Sequence, residues 1–193
     1  MKLAVSLLLN ALLLPMGLLA AEIPSAAEQI ALAVLAAPEE WRDGAAVWGF
    51  GQNGEVANLR QGTNHLACFA DDPTREKIMA SCVSKDLEEW QVRLYELQAQ
   101  GSSGVVKTLW EEVHSGKLKE PPPAWVVNFV KGNSFNGSSG KVADYERSWI
   151  VVVPNMTPET LGLSGEKSED KPWLMFPGTP GAHIMIPAVT EQP

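Results

Sequence analysis

The sequence predicts an α+β domain: a mainly antiparallel sheet, made of an N-terminal meander and C-terminal strands, packed by two or three helices in a single layered domain. Three observations carry this. Residues 45–83 fall into short apolar stretches separated by turn chemistry, residues 84–115 switch to a helical period, and from Trp125 onward the chain returns to short runs that are apolar on both faces. Strands, then helices, then strands is not the alternation of a βαβ fold, and the sequence contains no internal repeat.

The chain begins with one cation, Lys2, followed by the apolar run 3–19 and the small residues Ala20 and Ala21. That order is the pattern of a secretory signal peptide. Residues 1–20 are therefore expected to be cleaved, leaving 21–193 as a single exported globular domain, periplasmic or extracellular. An uncleaved anchor is the competing expectation, since about 20 apolar residues span a bilayer. Pro15, Asn10 and the weak basic flank argue against it, and the first cysteine, Cys68, is too distant from the cleavage point to carry a lipid. The mature chain, about 170 residues, is long enough for one sizeable core. The whole chain carries 15 Lys and Arg against 23 Asp and Glu, and loss of Lys2 takes its formal charge from -8 to -9. So acidic a protein repels phosphate backbones, which excludes nucleic acid as the expected partner. No later segment has the length and apolarity of a membrane span, so no membrane association is expected after cleavage.

The elements follow in order. Ser25 and Glu28 form a capping box after Pro24, and Ile30, Val34 and Leu35 continue a helical face until Pro38, which predicts a helix over 25–37. Strands are expected over 45–50, 55–60, 65–70 and 77–83, broken at Asn53-Gly54, Gly62 and Asp72-Pro73. Between Ser84 and Gly101, Leu87, Trp90, Leu94 and Leu97 form one stripe behind an acidic first turn, and a further helix runs over 105–115 and stops at Gly116. Pro121-Pro122-Pro123 stiffens the connection to strands over 125–130, 149–153 and 182–186. The Gly- and Ser-rich stretch 132–140 reads as a loop too polar to pack.

Export makes the two cysteines a candidate disulfide. Strand parity supports it: if Ala70 faces Ala80 across a hairpin, Cys68 faces Cys82. A redox role is disfavoured because the Cys-x-x-Cys spacing is absent. Gly49-Phe50-Gly51-Gln52-Asn53-Gly54 matches the dinucleotide string G-x-G-x-x-G, but a strand rather than a helix follows it, and no cofactor is expected.

His114 sits in a helix's last turn, where an imidazolium complements the dipole. His65 and His183 each follow a tight turn at a strand entrance, a place where a side chain is held facing a cleft. If those ends converge, Arg60, Asn64, His65 and His183 line a pocket for a small molecule or anion. The bland alternative is that each histidine satisfies local backbone groups. No metal is expected: HExxH is absent, and His65 and Cys68, three apart on a strand, point to opposite faces. Nor is there a G-x-S-x-G elbow, and adjacent acids such as Glu111-Glu112 diverge on a helix. Of the tryptophans only Trp41 and Trp173 lie beside turns as candidates for ligand stacking. Two functions remain open: a non-catalytic binding domain for a small molecule or protein partner, or an exported hydrolase with His65 or His183 as general base.

Overall fold

Ser25 caps the first helix as its sequence dictates, its hydroxyl accepting from the Glu28 backbone N–H while the Glu28 carboxylate accepts from the Ser25 backbone N–H. The helix, α1 (Ala26–Ala33), tightens into a 3-10 turn over Val34–Ala36. This computed structural model describes residues 22–192; the expected signal peptide, residues 1–20, lies outside them.

An eight-stranded sheet is built from β1 (Ala46–Phe50), β2 (Val56–Arg60), β3 (Leu66–Phe69), β4 (Ile78–Ser84), β5 (Trp125–Gly132), β8 (Glu146–Val152), β9 (Trp173–Met175) and β10 (His183–Val189). Its order is β2-β1-β3-β4-β5-β8-β10-β9. A two-stranded hairpin, β6 (Ser134–Asn136) with β7 (Lys141–Ala143), stands apart from it. The remaining helices are α2 (Glu88–Ala99), α3 (Val105–His114) and the short α4 (Pro158–Leu161). The fold is thus α+β with a mostly antiparallel sheet, as the sequence predicts.

The first four strands depart from a simple meander. β1 pairs antiparallel with β2 but parallel with β3, so the chain leaves β2 at the sheet edge and crosses the entrance of β1 before entering β3. Gly62 makes that crossing possible, because a Cβ there would stand 2.5 Å from the Ala46 backbone nitrogen. From β3 onward the pairing is antiparallel through β4, β5, β8, β10 and β9.

Alternation along the strands divides the core into two sides. Leu66, Cys68, Ala70, Ala80, Cys82 and Val130 face α1, joined by Val142 and Tyr145. Ala67, Phe69, Val83, Trp125 and Val127 face α2 and α3, meeting Leu87, Trp90, Tyr95, Leu97 and Leu109. Cys68 lies opposite Cys82 and the two are joined in a disulfide, as the parity argument requires. The polar stretch 132–140 is ordered, against expectation. It forms the β6–β7 hairpin, whose Phe135 and Val142 alternate inward against the first core, so two apolar residues suffice to seat it.

Candidate functional site

The two histidine-bearing strand ends do not converge. His65 precedes β3 and accepts, through its carbonyl, from the Lys85 backbone N–H; continuing the register brings it level with Trp125, Val152 and His183 at one end of the sheet. Four strand spacings separate β3 from β10, roughly 19 Å at about 4.8 Å each. The shared pocket expected from the sequence is therefore not formed, because the sheet itself holds the histidines apart.

At the His65 end the polar side chains serve the crossing loop. Arg60 donates through Nε to the Ala45 carbonyl (3.0 Å) and through Nη2 to the Arg42 carbonyl (2.6 Å). Asn64 donates to the Trp41 carbonyl at 2.7 Å and accepts from the Leu66 backbone N–H at 2.9 Å. The exposed His65 ring packs edge-on against Trp41, with centroids 4.3 Å apart. Arg60 and Asn64 are thus engaged in holding backbone carbonyls.

His183 stands elsewhere, beside a cavity of about 260 Å³ between α2 and the sheet. Alternate residues of three strands make its floor: Met79 and Ser81 from β4, Trp125, Val127 and Phe129 from β5, Ile150 and Val152 from β8. Trp90, Leu94 and Tyr95 of α2 form one wall. Phe176, Pro180 and Gly181 close the mouth, and Phe176, 60 % exposed, holds a left-handed backbone, φ 54°. The His183 Nδ1 lies 2.8 Å from the Gly181 carbonyl oxygen. A carbonyl can only accept, so Nδ1 carries a proton and donates it.

Two polar groups in this lining have no hydrogen-bond partner: the hydroxyl of Ser81, a residue 1 % exposed, and the indole Nε1 of Trp90, 8 % exposed. Buried polar groups are rarely left so, since each costs about 1–3 kcal/mol unless something pairs with it. Burial pushes the Tyr95 phenol up to about 12, and the nearby Ser81 hydroxyl opposes that rise without reaching hydrogen-bond geometry. Tyr95 is consequently a protonated donor at neutral pH.

A larger recess, about 520 Å³, lies between α2 and α3, but both of its cations, Arg93 and Lys117, are bound to its own acids. Arg93 grips Glu112 with two bonds of 2.8 Å, Lys117 adds a third at 2.6 Å, and Trp48 donates to Glu88 at 2.6 Å. Those bonds, Arg93 foremost, hold the Glu112 carboxyl down at about 2. The recess is a stitched helix contact, and the smaller cavity is the better site.

Among the described residues no three His, Cys, Asp or Glu side chains cluster to hold a metal, and no helix is long and apolar enough to cross a membrane. Neither histidine ring hydrogen-bonds a hydroxyl or thiol there. Ser81 is opposite Phe129, four residues along β5 from Trp125, and three strands away from His183, so the two are no catalytic pair. Trp173, a stacking candidate, is buried, while Trp41 is 40 % exposed against His65. No family model, curated protein or solved structure matches this chain.

Apart from His183, the cavity residues were the ones sequence reasoning passed over. Ser81 carried a faint signal: in the apolar run of β4 it alternates away from Cys82, which puts a hydroxyl on the inward side beneath α2.

Proposed function

We propose that this is an exported, non-catalytic binding protein that holds a small, largely apolar molecule between α2 and the sheet. One observation carries it: an apolar cavity in which the Ser81 hydroxyl and the Trp90 indole N–H are buried without partners. Small-molecule sites have this character, mostly apolar walls with a few placed polar groups, and their volumes start at about 300 Å³, so the ligand is at the small or slender end. His183, the one sequence-named pocket residue in the lining, contributes a ring whose orientation the Gly181 carbonyl fixes.

Export is supported by the buried Cys68–Cys82 disulfide, a bond favoured in oxidising compartments. Mass spectrometry of the secreted or periplasmic product is expected to give a chain beginning at Ala21 or Glu22; a cell-associated, full-length mass would refute export.

Binding is tested with N-phenyl-1-naphthylamine, a neutral apolar fluorophore whose approach to Trp90 and Trp125 quenches their emission. Saturable binding is expected, weakened at least about tenfold by Ile150→Trp, which fills the cavity, with the melting temperature little changed. Absence of saturable binding, or equal binding by the filled variant, would remove the proposal.

A further inference from the structure

Only one fully charged side chain, Arg75, lines the cavity, and no Asp or Glu does, although the chain carries 23 acids against 15 bases. Among the described residues no carboxylate comes within ion-pair distance of the Arg75 guanidinium, whose recorded partner is the Met79 sulfur at 3.7 Å. Asp71 and Asp72 lie nearby in the β3–β4 turn without reaching it. Ser81 is two residues from Met79 on the same strand face, and the Tyr95 phenol lies close to both Ser81 and Arg75. A guanidinium and two hydroxyls therefore gather at one end of an apolar groove.

The other end has the opposite character. Met79 is opposite Lys131, six residues along β5 from Trp125, so the floor from Met79 to Trp125 runs roughly 20 Å. About 260 Å³ spread along that length makes a narrow groove. Trp90 and Trp125, with ring centroids 5.6 Å apart, and Phe176 fill the far end with aromatic surface. The His183 Nδ1 proton there is already committed to the Gly181 carbonyl.

Resting on the binding function above, we propose that the ligand is a slender monocarboxylate, an unbranched acyl chain, with its carboxylate held by Arg75, Ser81 and Tyr95 and its tail lying toward Trp125 and Phe176. A planar guanidinium matches a carboxylate with two parallel N–H donors, and the two hydroxyls supply further donors where water is excluded. In this arrangement the Ser81 hydroxyl gains the partner it lacks in the protein alone.

The test is displacement of N-phenyl-1-naphthylamine at pH 8 by decanoate and by decanol, which share the chain and differ in the head. Decanoate is expected to bind at least about tenfold more tightly than decanol. Arg75→Gln should remove most of that advantage while leaving decanol and the fluorophore within about twofold, and Ser81→Ala should act in the same direction more weakly. Equal affinity for acid and alcohol, or a ratio unchanged by Arg75→Gln, would overturn the carboxylate while the binding function stands. Failure of all three compounds to bind would overturn both. Circular dichroism establishes that the variants fold; should Arg75→Gln not fold, the acid-to-alcohol ratio of the unmodified protein decides.

Discussion

Around β1 and β3, α1 lies on one face and α2 on the other, and the side chains between them are enclosed. Val47, Cys68, Phe69, Cys82 and Val83 have no exposed surface. A buried polar group there is fully paired: Gln29 donates to the Pro24 and Phe50 carbonyls and accepts from the Phe50 N–H. From Met79 and Ser81 of β4 across β5, β8, β10 and β9, cover is partial. Val126 is 46 % exposed on one face, Val127, Phe129 and Ile150 line the cavity on the other, and the Ser81 hydroxyl, Arg147 Nε and the Ser148 hydroxyl are buried without partners. The difference teaches where to look for binding: one half is finished as a core, while the other leaves both apolar surface and hydrogen-bonding capacity to something else.

Phe69 and Phe129 provide the sharpest way to break this comparison. They flank Ser81 in one row of the sheet and face the same helix, but Phe69 is sealed beneath Tyr95, with centroids 5.1 Å apart, and Phe129 lines the cavity. Phe69→Ala is expected to cost about 3–5 kcal/mol and Phe129→Ala less than half of that, because one opens a void and the other widens an existing one. Denaturant unfolding measures both, and equal losses would erase the distinction.

The disulfide comes next. It closes a sequence separation of 14 residues inside the sealed half, so Cys68→Ala with Cys82→Ala should lower stability by about 3 kcal/mol. For a domain of this size that is roughly 6–12 °C of melting temperature. Fluorophore binding in the other half should persist at low temperature, and its loss would couple the halves more tightly than their packing implies.

Two carboxyls at the edges of the sealed half are expected to respond to pH with opposite sign. Arg93 and Lys117 lower Glu112 from 4.5 to about 2, so its contribution is present above pH 4.5 and disappears as pH falls toward 2. Glu112→Gln should cost about 1–2 kcal/mol at pH 7, allowing for solvent screening of Lys117, with the difference closing in acid. Burial raises Asp71 from 3.8 to about 6, so its contribution is present below pH 3.8 and lost as pH rises through 6. Asp71→Asn keeps an acceptor for the Met79 N–H and should add about 1 kcal/mol at pH 7 and nothing at pH 3. Thermal unfolding across pH 2–8 checks both, and parallel profiles would contradict the assignment.

Much of the fold was legible because local rules decided it. The capping box of α1, the helical stripe of α2 and the facing of Cys68 by Cys82 each follow from spacing within a few residues or across one hairpin. The parallel pairing of β1 with β3 was not legible, since it depends on a loop crossing that only Gly62 admits. Nor was the seating of the β6–β7 hairpin, where Phe135 and Val142 outweigh a polar composition.

The candidate site divides in the same way. Turn chemistry flagged His65 and His183 alike, and from sequence the two ends are equivalent. Strand order set them four strands apart, engaged Arg60 and Asn64 with backbone carbonyls, and placed His183 beside a cavity. The sequence by itself determined the fold class, the expectation of export and the cysteine pairing, because these rest on composition and short-range periodicity. Only the tertiary structure decided that Arg75, Ser81, Trp90 and Tyr95 share one groove. They come from a turn, a strand and a helix, and the placing of α2 against the sheet, a long-range packing event, brings them together.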